Sequence, residues 1–470
     1  MRTILLITTV LILGIVCIQA GSPRNKNGKQ QPIGQQPVDA FLPGDLDTSK
    51  LINWVVKPGN AWFLRDANHH LYLYVRIVSG EVKQAKPRMP LNVSLVLDRS
   101  GSMRGEKIKY ARQAAKFLVD QLNNEDYLSI VNYDNDVQVT SSSQRISNKE
   151  YLRKKIDEIM DRGSTNLSGG MLEGYTQVRS TKKEGYVNRV LLLTDGLANA
   201  GITEPEDLRK IVEKKYTEEG IALSTFGLGA DYNEDLLTML AETGRANYYF
   251  IDSADKIPAL FASELKGLLS VVAQNALVQV DLPRGVTCEK VYGYPYEVRD
   301  GKVQIRFNDI YAKDEKAILI KLAAAPSVNE QLTFNCRLQY IDALDLKDMK
   351  LQQSVIMKPT NDAALVKEGE DKLVQEMIAL FESTEEFDKM MADVDAGNYE
   401  VARQVANISI QKLEERSRTY NSTRLQQQTI KMKEYALRID SVRVMQETDR
   451  RIYQKSNKSI NYEVKKGRRN

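Results

Sequence analysis

LNVSLVLDRSGSM, Leu91 to Met103, is a β-prone run that ends abruptly in an acid and two serines on a glycine turn. From Val93 to Leu97 it carries no charge and is rich in branched side chains, the pattern of a strand buried on both faces in the middle of a parallel sheet. Asp98 then stands at the carboxyl end of that strand, the edge where open α/β sheets bind ligands. Asp98, Ser100 and Ser102 alternate with Arg99 and Gly101, so a single turn can bring three oxygens to one point. A hard cation such as Mg²⁺ takes about six oxygens, with only one or two carboxylates among them. A turn capping the helix that starts near Glu106 accounts for Asp98 and one serine, but not for the whole D-x-S-G-S spacing.

Outward from this strand, the sequence from Leu91 to about Val272 alternates strand and helix, which predicts a doubly wound, mostly parallel α/β domain over residues 89–272. EKIKYARQAAKFLVDQL sets Ile108, Ala111, Ala115, Leu118 and Leu122 at helical spacing. Ser147 and Glu150 read as a capping box for the next helix. NRVLLLTDG is a second apolar strand ending in an acid, and Pro205 and Gly220 bracket the helix that follows. On both sides of this domain helical periodicity vanishes. Short strand-like runs fill residues 46–88 and 273–360, and together they predict one antiparallel β-sandwich into which the α/β domain is inserted. Residues 361–455 turn helical, ending in a long polar helix from about Thr423 to Lys455, and residues 456–470 read as a basic disordered tail.

The amino terminus has one basic residue, Arg2, an apolar run from Ile4 to Ile18, and small residues at Ala20 and Gly21. This is the layout of a secretory signal peptide over residues 1–20. Residues 21–45 are rich in Gly, Pro, Gln and Asn and read as a disordered linker. The mature chain is therefore expected to be secreted, periplasmic or in a cell envelope, with no transmembrane span. With 66 basic and 62 acidic residues in 470, the net charge of +4 is too even to argue for nucleic acid. Cys288 and Cys336 lie in strand-like sequence, compatible with either a disulfide or two buried thiols. The two histidines, His69 and His70, are adjacent, which excludes H-E-x-x-H metallohydrolases and Ser-His-Asp hydrolases.

Two further loops belong beside Asp98. RGSTNLSGG, residues 162–170, offers Thr165, and TDG at 194–196 ends the second buried strand with Asp195. Adjacent parallel strands set their carboxyl ends together, so two carboxylates and three hydroxyls converge, with Gly101, Gly163 and Gly196 allowing close backbone approach. DRSGSM, GSTN and TDG, in this order, resemble the von Willebrand factor A domain and its metal-ion-dependent adhesion site. The wider context looks most like the secreted inter-alpha-trypsin-inhibitor-heavy-chain-like or calcium-activated-chloride-channel-like subgroup. One departure is Ser164, in place of the second glycine of the usual GGTN.

The resemblance implies that Asp98, Ser100, Ser102, Thr165 and Asp195 bind Mg²⁺, or Mn²⁺ or Ca²⁺, with Asp195 in many cases acting through a water. It further implies that an Asp or Glu of a partner protein completes the shell. The expectation is a non-enzymatic adhesion or scaffold protein with no catalytic residues. The alternatives are a Mg²⁺-dependent hydrolase, for which Glu173 and Asp231 are the candidate bases, and a metal-stabilised structural envelope protein. Asn-x-Ser/Thr sequons at Asn92, Asn166, Asn407 and Asn421 add nothing to this reading.

Overall fold

The structure is a computed structural model and describes residues 50–467 apart from 68, 82–87 and 308. The expected signal peptide, the expected linker and the last three residues of the expected basic tail lie outside the described residues. The chain opens with strands β1 (Ile52–Pro58), β2 (Trp62–Leu64) and β3 (His69–Ser79). The α/β domain follows as β4 (Leu91–Asp98), α1 (Glu106–Gln121), β5 (Tyr127–Tyr133), β6 (Val137–Arg145), α2 (Lys149–Asp157), α3 (Leu167–Ser180), β7 (Val187–Thr194), α4 (Pro205–Glu219), β8 (Ala222–Leu228), α5 (Glu234–Thr243), β9 (Tyr248–Ile251) and α6 (Ile257–Leu268). Strands return as β10 (Val271–Asp281), β11 (Val286–Tyr292), β12 (Tyr296–Arg299), β13 (Lys302–Arg306), β14 (Asp309–Tyr311), β15 (Glu315–Ala324), β16 (Leu332–Asp342) and β17 (Asp348–Thr360). Helices α7 (Ala363–Glu368), α8 (Lys372–Asp395), α9 (Tyr399–Tyr420), α10 (Thr423–Val444) and α11 (Glu447–Lys465) complete the described chain.

The α/β sheet has the order β6-β5-β4-β7-β8-β9, parallel except for the edge strand β6. All eight residues of β4 and of β7 are buried, because helices cover both faces. Val93, Leu95 and Leu97 pack with α1, α2 and α6, while Val96 packs with α3, α4 and α5. The order reverses direction beside β4, so the carboxyl ends of β4 and β7 form the crevice that such sheets use for binding.

β3 pairs with β1 and with β15, and β15 with β11, giving one four-stranded sheet. β10, β12, β13, β16, β17 and β2 form a second sheet, with β14 paired to β10. The two sheets share a core that includes Leu73, Val75 and Ile318 from one and Val278, Phe334 and Leu338 from the other. Strands on both sides of the α/β domain therefore pair with one another, and the domain is inserted into a sandwich that is antiparallel except where β2 runs parallel to β17. The outer face of the four-stranded sheet, at Tyr74, Tyr292 and Leu319, is covered by α8, α9 and α10.

Several local expectations are corrected. The cap of α2 is Asn148, whose side chain accepts from the Tyr151 amide at 2.9 Å, and not Ser147. The expected helix from Thr423 to Lys455 breaks at Met445 and Gln446, both extended (ψ 151° and 148°). Residues 456–465 are not a disordered tail; they are the second half of α11. That helix is held by buried polar groups rather than by an apolar stripe. Gln454 Nε2 donates to Asp395 at 2.8 Å, and Asn461 Nδ2 donates to the Thr384 carbonyl at 2.7 Å and to Asp388 at 2.6 Å. The cysteines are free thiols on opposite sheets, Cys336 buried and Cys288 half-buried, so the disulfide reading is not realised. Burial pushes the two thiols up, to about 11 for Cys288 and about 12 for Cys336. Among the described residues no helix is long and apolar enough to cross a membrane.

α11 also braces the α/β domain. Arg451 lies 3.4 Å from Asp231, and Tyr462 meets Tyr248 edge-on at 5.8 Å. Lys455 donates to the Tyr232 carbonyl at 2.7 Å and sits 3.6 Å from that ring's centre. Burial draws the Lys455 ammonium down to about 8, against the opposing pull of Glu234. Its folded value is thus below the ordinary value of about 10.4, so between those pH values the unfolded chain binds more protons and folding is favoured by raising the pH. Wild type should accordingly gain about 2 kcal/mol relative to Lys455→Met between pH 7.5 and pH 10. Urea midpoints of both proteins across that range check this, and a wild type that loses stability relative to the variant as the pH rises would contradict the assignment.

Candidate metal centre

Each donor is placed by a local feature of the chain. Asp98 ends β4 and is fully buried; its Oδ1 accepts from the Ser100 amide at 2.8 Å and its Oδ2 from Thr194 Oγ1 at 2.6 Å. An acid bonding the amide two residues on is the Asx-turn that reverses a chain after a strand. Residues Gly101–Met103 form a single 3-10 turn whose Met103 is buried in the core beneath α1, and this holds Ser100 and Ser102 at the sheet edge. Ser100 Oγ is 2.9 Å from Ser102 Oγ, and Ser102 Oγ donates to Asp195 Oδ1 at 2.7 Å. Thr165 immediately precedes Asn166, whose side chain caps α3 by accepting from the Gly169 amide at 2.9 Å. A Cβ placed on Gly196 would lie 3.1 Å from Thr165 Oγ1 and 3.9 Å from Ser102 Oγ, so the glycine keeps the space among the donors open.

The five residues singled out in the sequence are thus brought to one crevice. Asp98, Ser100, Thr165 and Asp195 are buried, and Ser102 is exposed at the mouth. Burial pushes Asp98 up to about 6, partly offset by its bonds from Ser100 and Thr194, with the Asp195 carboxylate adding to the rise. Two buried acids sharing one crevice with hydroxyl oxygens are a set that a divalent cation neutralises. Among the described residues no group of three or more His, Cys, Asp or Glu side chains could hold a metal; here the donors are two carboxylates and three hydroxyls. The residues therefore fit a hard, oxygen-seeking ion and not a soft one.

Three contributors were missed in the sequence. Lys107, half-buried on α1, bonds Asp195 Oδ2 and supplies one positive charge to the crevice. From its spacing it reads as an ordinary solvated position of an amphipathic helix. Asp134 and Asn135, in the β5–β6 turn, read as turn formers. The structure uses both to hold the Thr165 loop. Asp134 Oδ2 accepts from Arg99 Nε at 2.6 Å and Arg162 Nε at 2.8 Å, and Asn135 Oδ1 accepts from the Ser164 amide at 2.6 Å. Burial alone would raise the Asp134 carboxyl, but Arg162, the Asp136 amide and Arg99 outweigh it and hold the group below the usual range. Gly163 (φ 71°) sits so close to Asn135 that no side chain fits there. Gly101 has ordinary room, with the Gly163 carbonyl 3.4 Å from a built Cβ, so its lack of a side chain is not demanded by contact.

Other candidates are placed elsewhere. Glu173 accepts from Gln177 Nε2 at 2.6 Å within α3, and Asp231 is exposed in its ion pair with Arg451. Asn92 is buried and donates to the Val178 carbonyl, and Asn166 is the α3 cap, so both of these sequons have structural duties.

Residues 92–263 match the von Willebrand factor type A domain. The chain is 34% identical over 221 residues to the uncharacterized protein YfbK of Escherichia coli K12, covering 46% of this chain and 38% of that protein. It is 25% identical over 342 residues to inter-alpha-trypsin inhibitor heavy chain H3 of Pongo abelii, covering 69% of this chain and 37% of that one. The match thus spans well under two thirds of either relative's length. Two solved structures have the same fold over most of the chain. A von Willebrand factor type A protein from Catenulispora acidiphila superposes with a TM-score of 0.67 at 12% identity, over 91% of this chain and 98% of that one. The ArnB paralog VWA2 of Sulfolobus acidocaldarius gives 0.58 at 16% identity, over 88% and 98%.

Proposed function

We propose that the von Willebrand factor type A domain of this chain is a cation-dependent protein-binding module of an exported adhesion or scaffold protein. Asp98, Ser100, Ser102, Thr165 and Asp195 would hold one divalent ion, Mg²⁺ before Mn²⁺ or Ca²⁺. The bound ion would supply an electrophilic point for a carboxylate of a partner's Asp or Glu. The single observation that carries this reading is the convergence of two carboxylates and three hydroxyls on the binding edge of the sheet. Asp98 is fixed by Ser100 and Thr194, and Asp195 by Ser102 and Lys107. Ser102 opens the crevice to solvent, and the loop after Asp195 carries two exposed apolar side chains, Leu197 (48%) and Ile202 (37%), suited to a partner's surface. The likeness to the inter-alpha-trypsin inhibitor heavy chain runs over 342 residues, well beyond residues 92–263, and supports a heavy-chain-like protein. The apolar amino-terminal stretch supports export to a secreted, periplasmic or envelope location.

Calorimetric titration with Mg²⁺ tests the reading first. Wild type should bind one ion and Asp98→Ala should lose at least ~100-fold in affinity, since second-shell losses alone reach about 10–100-fold. Capture of partner proteins should then be abolished both by chelator and by Asp98→Ala; capture that survives both would refute the proposal. A hydrolytic reading would need metal-dependent turnover of a phosphoester by the purified chain.

A further inference from the structure

Away from the cation crevice, the turn between α5 and β9 breaks two rules at one residue. Gly244 ends α5, yet the left-handed position after it, normally glycine, is filled by Arg245 (φ 56°). A glycine cannot simply be exchanged with its neighbour, because a side chain at 244 would lie 2.8 Å from Leu223 Cβ. An arginine in this conformation carries backbone strain. The second broken rule is burial without a partner. Nε and Nη1 of Arg245 are buried and make no hydrogen bond, although a guanidinium cannot shed its proton to escape the cost. Burial pushes this group below its ordinary value, and the neighbouring Arg306 adds to that push. A ring contact with Tyr216, 6.0 Å from Arg245 Cζ to the ring centre, is the compensation on the page, and at that distance it is small.

Arg245 lines a cavity of about 50 Å³ where the α/β domain meets the sandwich. Its charged walls are Arg245, Arg306, Lys316 and Lys466 against Glu242 and Asp309. The two acids are already engaged, Glu242 by Lys466 at 2.7 Å and Asp309 by Arg189 at 2.5 Å, and Lys316 is paired with Asp314 at 2.7 Å, so the charge at issue is that of Arg245 and Arg306. Glu213, on α4, is held by Arg209 at 2.8 Å, and Glu297 stands on the exposed strand β12. The cavity shares Tyr294 and Lys466 with a wider groove of about 450 Å³. We infer that this cavity is a binding site for a small oxyanion, a phosphate-type or carboxylate group, seated on Arg245 with Arg306 at the mouth. Two guanidinium forks match the planar and tetrahedral oxygens of such groups. The volume admits one such group or a few waters, and waters would leave the charge unbalanced.

The test is thermal unfolding of the full chain at fixed ionic strength, with chloride exchanged for inorganic phosphate in one arm and for acetate in another. Wild type should rise by about 2–4 °C in at least one arm relative to chloride. Arg245→Gln and Arg306→Gln should each lose at least half of that rise, and phosphate or acetate affinity by calorimetry should fall at least ~10-fold in Arg245→Gln, one bidentate partner being worth about that much. Arg306 is exposed, so Arg306→Gln folds irrespective of Arg245 and carries the test if Arg245→Gln does not. A rise in phosphate alone assigns a phosphoryl ligand and a rise in acetate alone a carboxylate. No rise in either arm, or an equal rise in wild type and both variants, overturns the site. Neither outcome depends on Mg²⁺ binding at Asp98.

Discussion

Arg189→Ala should destabilise the protein by about 3–5 kcal/mol, the cost of leaving buried charges without their partner. Arg189 lies on β7, fully buried, between Glu264 of α6 at 3.2 Å and Asp309 of β14 at 2.5 Å. The first partner belongs to the α/β domain and the second to the sandwich, so one guanidinium ties the inserted domain to its host. Without it Glu264 keeps donors from Ser224 (2.5 Å), Asn247 (2.7 Å) and Tyr249 (2.8 Å). Asp309 keeps the 3.3 Å contact from Gln274. Burial already raises the Asp309 carboxyl, against the pull of Arg189. Removing the arginine raises it further, so the variant's folded state binds a proton that the unfolded chain binds only at lower pH. The deficit should therefore shrink on going from pH 7 to pH 5. Urea unfolding at both pH values measures this. The double variant Arg189→Met/Asp309→Leu, which removes both charges, should recover more than half of the loss. A deficit below about 1 kcal/mol, or a double variant no better than the single, would mean that the pair is not what secures the junction.

What the sequence discloses and what it hides follow from how each part is stabilised. β4 and β7 are buried on both faces, so their apolar runs are visible without any neighbour in view. Asp98 and Asp195 are visible for the same reason, being the first charges after those runs. Thr165 is visible through the order of its motif, but not the contacts that hold it, because Asp134 and Asn135 look like any turn. α11 is the clearest opposite case. Its buried residues are Gln454, Lys455, Asn461 and Tyr462, so hydrophobic periodicity reports solvent where the fold has a docked helix. The break at Met445 has no glycine or proline to announce it. Strands β12 and β14, of four and three residues, are too short to show alternation, although β14 carries the Asp309 that joins the two domains.

The second large effect should appear at Asp134, a residue that touches none of the five donors through its carboxylate. Its Oδ2 is shared by Arg99, from the loop between Asp98 and Ser100, and by Arg162, at the start of the Thr165 loop. Its Oδ1 accepts from the Asp136 amide at 2.9 Å, and its carbonyl accepts from the Asn166 amide at 2.8 Å. Backbone bonds add to the tie: the Arg162 amide donates to the Arg99 carbonyl at 2.7 Å and the Gly101 amide to the Gly163 carbonyl at 3.0 Å. Both Asp134 and Arg99 are buried, so Asp134→Ala strands the Arg99 guanidinium, whose Nη2 already has no partner and whose Nη1 keeps Gln138 at 2.7 Å. The expected loss is about 3–4 kcal/mol in urea unfolding. If the five donors bind Mg²⁺ as proposed, affinity should also fall about 10–100-fold, because the Thr165 loop is no longer held to the Asp98 turn. Asp134→Asn retains an acceptor for one arginine and should lose about half as much stability. The two readouts separate the roles of the residue. Lost stability with unchanged affinity would make Asp134 a fold determinant alone. Lost affinity in Asp134→Asn, at a temperature where that variant is fully folded, would show that this loop tie sets the geometry of the crevice.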